Sequence, residues 1–414
     1  MHAFPSQNLL EPRRTLISVH SVLRRTLANQ DLRPLAQSLR ERLQAEPRDA
    51  KLMMDLSLVL QVIGDDATAR HMQAEALKLQ RCYTALSSWT SDGPSLRVLA
   101  LMMPGVLTDN IPLDCLLAYA NVQLDVLYVN DDGTLPDTIP DHDVLFVAIR
   151  ASSHNQNILQ QCSHHAQVWP RPVLNQPENI RRLSPDNVPE LLTGIAGLTM
   201  PPIRGTTRLE LEGLVTGEFF VDRLVEHGRF PLIIRPRDSH AGHGLERVDD
   251  RAALGAYLLR TTGDAFHVSL YVDYRSADGR FRKYRVVLIQ GVPYLCHVAI
   301  SNHSMVQYVN AGMAESMTKR QEESWLMESF DHGCARRHAA ALQGAYTALG
   351  LDYVVLDCAE TPTGELLVFE ADTALVVHDA DPAEIFPYKK AHMRKLLKTF
   401  EAMLATTVET KRVS

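Results

Sequence analysis

The sequence predicts an α+β protein in which an all-helical N-terminal module and a small parallel α/β domain precede a larger mixed body. Three patterns lead to this prediction. Apolar residues recur at intervals of three and four early in the chain, short apolar runs then alternate with helical stretches, and paired strands follow. The predicted parts are residues 1–92, 95–176 and 177–414. The chain has 414 residues, 45% of them hydrophobic, which is enough for a core in each part.

The helical segment runs from about Thr15 to Leu86, and its apolar positions show no strand-like alternation. Within it, residues 46–77 resemble one tetratricopeptide unit, with two helices about a Gly-Asp turn. A single repeat cannot bury the face of a solenoid by itself. We therefore interpret residues 1–92 either as a module that binds a protein partner or a second copy of the chain, or as a helical cap on the remaining parts.

A Ser-Asp-Gly-Pro cluster at residues 91–94 marks the next boundary. After it, apolar runs at 96–102, 124–129, 144–149 and 172–175 alternate with helical or loop stretches, which predicts a small parallel α/β domain. No G-x-G-x-x-G motif follows these strands, so the sequence does not support a dinucleotide-binding domain.

The third part contains an apolar strand that ends in a basic residue and leads into a glycine-containing loop. Arg235 ends this strand, Arg237 follows, and Ser239, Gly242 and Gly244 lie in the loop. Glycines allow backbone N–H groups to point at an anion, and a cation at the strand end neutralises phosphate charge. The pattern predicts a phosphate-binding loop, and a simple tight turn is the alternative.

A second basic strand follows at residues 283–289. Lys283 and Arg285 alternate with Tyr284 and so share a sheet face with Val287, where charge is costly unless an anion lies nearby. Phosphate or a carboxylate substrate would supply that anion. The alternative is an exposed basic edge strand that guards against aggregation.

The last two strands, within residues 353–372, carry three acids where core strands are usually apolar. A four-residue Thr-Pro-Thr-Gly tip would set Asp357 opposite Val368 and diagonal to Glu370, with Asp372 on the same face. Three carboxylates this close repel one another unless a cation lies among them, and oxygen ligands suit Mg²⁺, with Mn²⁺ as an alternative. The hairpin predicts a metal–nucleotide site, or else a solvated face of an edge hairpin.

These motifs occur in one order: basic strand and glycine loop, a strand at 268–273, the Lys-Tyr-Arg strand, and the acidic hairpin. That order resembles the ATP-grasp superfamily, in particular its amide-forming ligases such as D-alanine ligase and the ribosomal protein S6 modifying enzyme. The resemblance covers residues 95–400 and leaves the helical segment outside. It implies an ATP-grasp fold preceded by the small α/β domain.

The resemblance also implies residue roles. Asp357, Glu370 and Asp372 match the metal-binding acids, although the last is usually Asn. Arg235 stands where the family has a Lys before Pro, and its planar group is not equivalent to an ammonium. Arg285 and Lys283 match the residues that face the transferred phosphate and the acyl group. The implied nucleotide contacts are Arg235, Arg237, Ser239, Gly242 and Gly244 for phosphates, Ser269, Leu270, Tyr271 and Val272 for adenine, and Asp273 for ribose.

The activity implied is an ATP-dependent carboxylate–amine ligase, in which an acyl-phosphate forms and an amine then displaces phosphate, yielding an amide and ADP. The substrates would be a small-molecule or peptide carboxylate and an amine. His297, His303 and residues 305–308 follow the basic strand and are candidates for the acceptor pocket. The alternatives are a phosphotransferase on the same fold, a nucleotide-binding scaffold without ligase activity, and a zinc hydrolase built on His240, His243 and Glu246.

Composition limits the partners and the compartment. The formal net charge of −7 argues against a nucleic-acid partner, because such proteins usually carry a basic excess. The six cysteines lack metal-site spacing and are predicted to be reduced core thiols. The N-terminus shows no signal-peptide pattern, and no apolar run approaches the roughly 20 residues of a membrane span. We expect a cytoplasmic protein that has no membrane partner.

Overall fold

The computed structural model describes residues 15–87, 95–226, 228–237 and 244–413. The predicted boundary at 91–94, the loop residues Ser239 and Gly242, and the zinc candidates His240 and His243 lie outside these residues. The described part combines helices with three sheets, which confirms the predicted α+β class. None of its helices is both long and apolar enough to span a membrane.

The N-terminal segment forms a run of helices, and a strand follows the last of them. The helices are α1 (Val19–Leu27), α2 (Arg33–Ala45), α3 (Ala50–Val62) and α4 (Asp66–Leu79). Asp49 and Asp65 cap α3 and α4 by accepting backbone N–H groups of the first turn. The all-helical prediction is wrong for the residues that follow, because β1 (Cys82–Ser87) pairs antiparallel with a strand of the next sheet.

The helical segment has two apolar faces. One face forms a core of its own, in which Val22, Leu39 and Leu56 are buried together. The other face joins the core of the α/β domain, where Met53 and Leu77 pack in one cluster with residues of its sheet. This arrangement agrees with the helical cap that the sequence left as one alternative. Self-association through residues 1–92 stays a prediction.

The small domain has a five-stranded sheet in the order β1-β3-β2-β4-β5. All neighbours except β1 run parallel, as predicted. The strands are β2 (Leu96–Met102), β3 (Val122–Tyr128), β4 (Val144–Val147) and β5 (Val173–Leu174), and the helices are α5 (Leu113–Leu116) and α6 (Gln156–Gln167). The β4 strand is wholly buried, so the segment that follows it leaves directly from the core of the domain.

The second sheet is antiparallel and has helices on one face. Its order is β7-β10-β8-β9, with β7 (Ile203–Thr207), β8 (Leu232–Pro236), β9 (Glu246–Val248) and β10 (Ala265–Leu270). Helices α9 (Arg208–Thr216) and α10 (Arg251–Arg260) pack on the face that carries Leu232, Ile234 and Phe266. The alternate residues, among them Arg235, therefore lie on the face that these helices leave open.

The third sheet has the order β12-β11-β13-β14-β6 and is antiparallel except at β6. Its strands are β6 (Leu198–Thr199), β11 (Phe281–Ile289), β12 (Val292–Ser301), β13 (Tyr353–Glu360) and β14 (Leu366–Asp372). The remaining helices are α7 (Pro177–Arg181), α8 (Val188–Leu192), α11 (Met317–Ser329), α12 (Cys334–Arg337), α13 (Ala339–Leu349) and α14 (Lys389–Val413). Val354 and Leu356 share a core with α13, whereas Val355 shares one with α14 and the small domain.

Candidate active site

The acidic hairpin forms as predicted, but with a different register. Asp357 pairs with Glu370, whereas Cys358 pairs with Val368, because a β-bulge on β14 inserts Phe369 between the two pairs. The predicted pairing of Asp357 with Val368 is therefore wrong. The bulge brings Asp357 directly opposite Glu370. Asp372, which pairs with Val355, stays on the same face, so the predicted common face of the three acids is confirmed.

Two basic side chains of β11 neutralise Asp357. Arg285 lies opposite Asp357 in the sheet, and its Nε and Nη2 donate to Oδ1 and Oδ2 at 2.8 and 3.1 Å. Lys283 Nζ lies 2.7 Å from Oδ2. Burial raises the pKa of Asp357, but Arg285 and Lys283 outweigh it and hold that pKa below its usual range. The carboxylate is thus a buried, ionised partner for two cations.

The basic strand lies inside the sheet, with β12 and β13 on its two sides. The exposed edge strand that the sequence left as an alternative is therefore excluded. The anion that offsets the cost of burying Lys283 and Arg285 is Asp357, a residue of this chain. Arg285 also donates from Nη1 to the carbonyl of Val376 at 3.0 Å, which fixes the plane of its guanidinium.

The other two acids contact Arg150, a residue that sequence reasoning missed. Arg150 follows β4 of the small domain, and its Nε lies 2.5 Å from Asp372 Oδ2 while its Nη2 lies 3.3 Å from Glu370 Oε1. Burial lowers the pKa of Arg150, but Asp372 and Glu370 outweigh it and raise the pKa. A sequence signal existed, since a basic residue directly after a buried parallel strand marks the sheet edge where ligands bind.

The three carboxylates do not fit a metal ion in this arrangement. Within the described ranges, no three His, Cys, Asp or Glu side chains form a group that could hold one. Both oxygens of Asp357 already contact cations, and Asp372 Oδ1 accepts the N–H of Ala374 while its Oδ2 contacts Arg150. The expected repulsion among the acids is replaced by ion pairs. Metal binding by Asp357, Glu370 and Asp372 stays a prediction.

The basic residues before the glycine loop differ in their surroundings. Arg235 is half-buried on the open face of the second sheet, and no side-chain hydrogen bond or ion pair joins it to another residue of the described ranges. Arg237 is more exposed and pairs with Asp186 at 3.0 Å. Gly244 has a φ of +66°, and a Cβ there would lie 2.8 Å from the ring of Pro236. Glycine is therefore required where the chain leaves the loop.

Some of the predicted adenine contacts lie in a strand, and the others lie in the loop that follows it. Ser269 and Leu270 belong to β10, and Ser269 has strand partners on both sides, so its backbone groups serve the sheet. Tyr271, Val272 and Asp273 follow the strand, and the N–H of Tyr271 donates to the carbonyl of Pro231 at 3.2 Å. The predicted ribose contact, Asp273, accepts the backbone N–H of Arg275 at 3.0 Å. These nucleotide contacts stay predictions.

A cavity of about 330 Å³ lies next to the loop that follows β12. His303 and Met305, two of the predicted acceptor residues, line it together with Arg247, Arg275 and Phe281. Tyr308, the last residue of the predicted segment 305–308, is not among the residues that line this cavity. Its ring contacts that of His297 at a tilt of 38° with 4.3 Å between centroids, and its hydroxyl donates to the buried Glu323 at 3.0 Å.

Comparison with known proteins found similar structures but no matching sequence family or curated relative. A scan against protein-family models and a search of curated proteins both found no match. Among solved structures, the chain is similar to the D-alanine–D-alanine ligase of Bacillus anthracis complexed with ATP, with a TM-score of 0.46 and 14% identity. This match covers 76% of the present chain and 99% of the ligase.

Two further structures are similar over nearly their whole length. The VanG D-Ala:D-Ser ligase of Enterococcus faecalis has a TM-score of 0.45 and 12% identity, covering 75% of this chain and 99% of its own. A RimK domain ATP-grasp protein of Sphaerobacter thermophilus has a TM-score of 0.43 and 13% identity, covering 74% and 99%. Two are ligases and one is an ATP-grasp protein. All three TM-scores lie below 0.5, so the functional argument depends on the residues of this chain.

Proposed function

We propose that this chain is an ATP-dependent carboxylate–amine ligase of the ATP-grasp kind. The observation on which this depends is Arg235, a half-buried cation without a described partner on the open face of the second sheet. Partial burial of a cation is unfavourable without an anion nearby, and the strand end before a glycine-containing loop suits nucleotide phosphate. The order of the α/β domain, the second sheet and the third sheet agrees with that expected for an ATP-grasp fold.

In the proposed reaction, a carboxylate oxygen of the substrate attacks the γ-phosphorus of ATP, and the bond to the β-phosphate oxygen breaks to release ADP. The amine then attacks the acyl carbon, the bond from carbon to the phosphate oxygen breaks, and the amine loses a proton. Lys283 and Arg285 would neutralise the negative charge that accumulates on the transferred group. Their positions are held by Asp357, so their charge is already oriented before substrate arrives.

The test is to incubate the full chain with ATP and paired pools of amino acids and short peptides, and to measure ADP, phosphate and product mass. We expect ADP and phosphate only when an acid and an amine are both present, together with an amide product. ADP without phosphate, and a product that has gained a phosphoryl group, would instead identify a phosphotransferase. ATP binding without ADP formation on any substrate would identify a scaffold.

A matched pair of variants links the activity to the site. Arg285→Gln removes a charge next to Asp357 and is expected to lower turnover at least about a hundredfold, the scale for loss of a group that stabilises transition-state charge. Arg282→Gln is the control, because Arg282 belongs to the same strand but pairs with Asp278 and Glu322 instead. Equal activity of the two variants would contradict the assignment of Arg285.

A further inference from the structure

The counter-charges of the acidic hairpin come from other parts of this chain. Three carboxylates contact three basic side chains, two of which lie on the neighbouring strand β11. The third, Arg150, comes from the segment that follows β4 of the small domain, and its guanidinium bridges Glu370 and Asp372 through separate nitrogens. A bridging position between two carboxylates is the position that a divalent ion takes in an oxygen-ligand site.

The backbone of Arg150 is anchored on both sides of the residue. Its N–H donates to the carbonyl of Asp109 at 2.8 Å, and its carbonyl accepts the side-chain amide of Asn155 at 3.0 Å. Asn155 is itself buried. The side chain of Arg150 therefore extends from a backbone position that hydrogen bonds hold in the small domain. This side chain is only 17% exposed, which limits screening of its charge by solvent.

We propose that Arg150 takes the place of a metal ion at Glu370 and Asp372. The guanidinium supplies a permanent positive charge with planar, directional donors, and it already holds one oxygen of each acid. A divalent ion would have to displace it, at the cost of leaving a largely buried cation without its partners. The inference rests on the proposed function only in that these acids would then belong to the nucleotide site.

The experiment measures Mn²⁺ binding to the full chain without nucleotide, by electron paramagnetic resonance of the free ion. We expect weak binding by the wild type and an affinity at least about tenfold higher for Arg150→Gln, because two carboxylates lose their cation. Adding Asp372→Asn to Arg150→Gln should remove this gain. Arg171→Gln is the control, since Arg171 belongs to the same domain but is half-exposed and lies near Asp141.

Equal Mn²⁺ affinity of the wild type and Arg150→Gln would overturn the proposal, whether both bind tightly or both bind weakly. If Arg150→Gln does not fold, as judged by circular dichroism, Arg150→Lys replaces it. Lysine keeps the charge but presents one nitrogen in place of the two that hold Glu370 and Asp372, so the variant should bind Mn²⁺ more tightly than the wild type, and unchanged affinity would overturn the proposal. Calorimetric titration with ATP tests the proposed function separately, because failure to bind ATP leaves the Mn²⁺ comparison valid.

Discussion

Replacing Asp357 by Asn should destabilise the fold strongly. The substitution keeps the shape of the side chain but removes the negative charge that pairs with Lys283 and Arg285. Asp357 is 3% exposed and the two basic side chains are 23% and 18% exposed, so solvent compensates little of the loss. Removing one partner of a buried ion pair costs about 3–5 kcal/mol, and we expect the free energy of unfolding to fall by that amount.

The stability difference between the wild type and Asp357→Asn should depend on pH in a defined direction. Because the pKa of Asp357 is lowered in the folded protein, its contribution is fully present above the unfolded value of about 3.9 and is lost as pH falls through the folded value. The stability difference between wild type and Asp357→Asn should therefore be constant from pH 7 to pH 5. It should shrink only below about pH 4, as the wild-type carboxylate becomes protonated.

Urea unfolding followed by circular dichroism and by tryptophan fluorescence measures the effect. The matched control is Asp131→Asn, because Asp131 is 88% exposed and lies 3.8 Å from Arg81, so its loss should change stability by no more than about 0.5 kcal/mol. An Asp357→Asn variant as stable as wild type at pH 7 would refute the reasoning. That result would mean that repulsion from the neighbouring acids offsets the ion pairs of Asp357. Such a balance is expected of a metal site whose ion is absent.

Three further perturbations test other parts of the structure. Removal of residues 1–81 should give an aggregating or partly unfolded chain, because Met53 and Leu77 lie in the core of the α/β domain, and a monodisperse monomer by size exclusion would contradict this. Arg235→Ala should weaken ATP binding by about 1.5–3 kcal/mol, with Arg235→Lys retaining part of it, whereas equal affinity in calorimetry would place the phosphate elsewhere. Asn175→Ala should cost about 2–4 kcal/mol in urea unfolding, because the buried amide bonds both backbone groups of Tyr353 at 2.9 Å. A cost near that of the half-buried control Asn130→Ala, whose amide donates to the Thr134 hydroxyl, would show that these two hydrogen bonds contribute little.

Patterns within a few residues were enough to predict most elements. The three-and-four spacing predicted the helices before residue 80, and the apolar runs predicted the strands of the α/β domain. The common face of Asp357, Glu370 and Asp372 also followed from sequence. Strand alternation has a period of two, and a bulge that adds one residue moves the pairing from a diagonal contact to a direct one without separating the acids.

Contacts between residues far apart in the sequence decided the features that local patterns did not predict. Arg150 and Asp372 lie 222 positions apart, and no local pattern states that they touch. The same holds for β1, whose residues become a strand because β3 offers an edge with free hydrogen-bonding groups. The sequence thus determined which charges belong to the acidic face. Only the tertiary structure decided that basic side chains of β11 and of the segment after β4 neutralise them, because burying a carboxylate requires a cation within hydrogen-bonding distance, from whichever part of the chain can supply it.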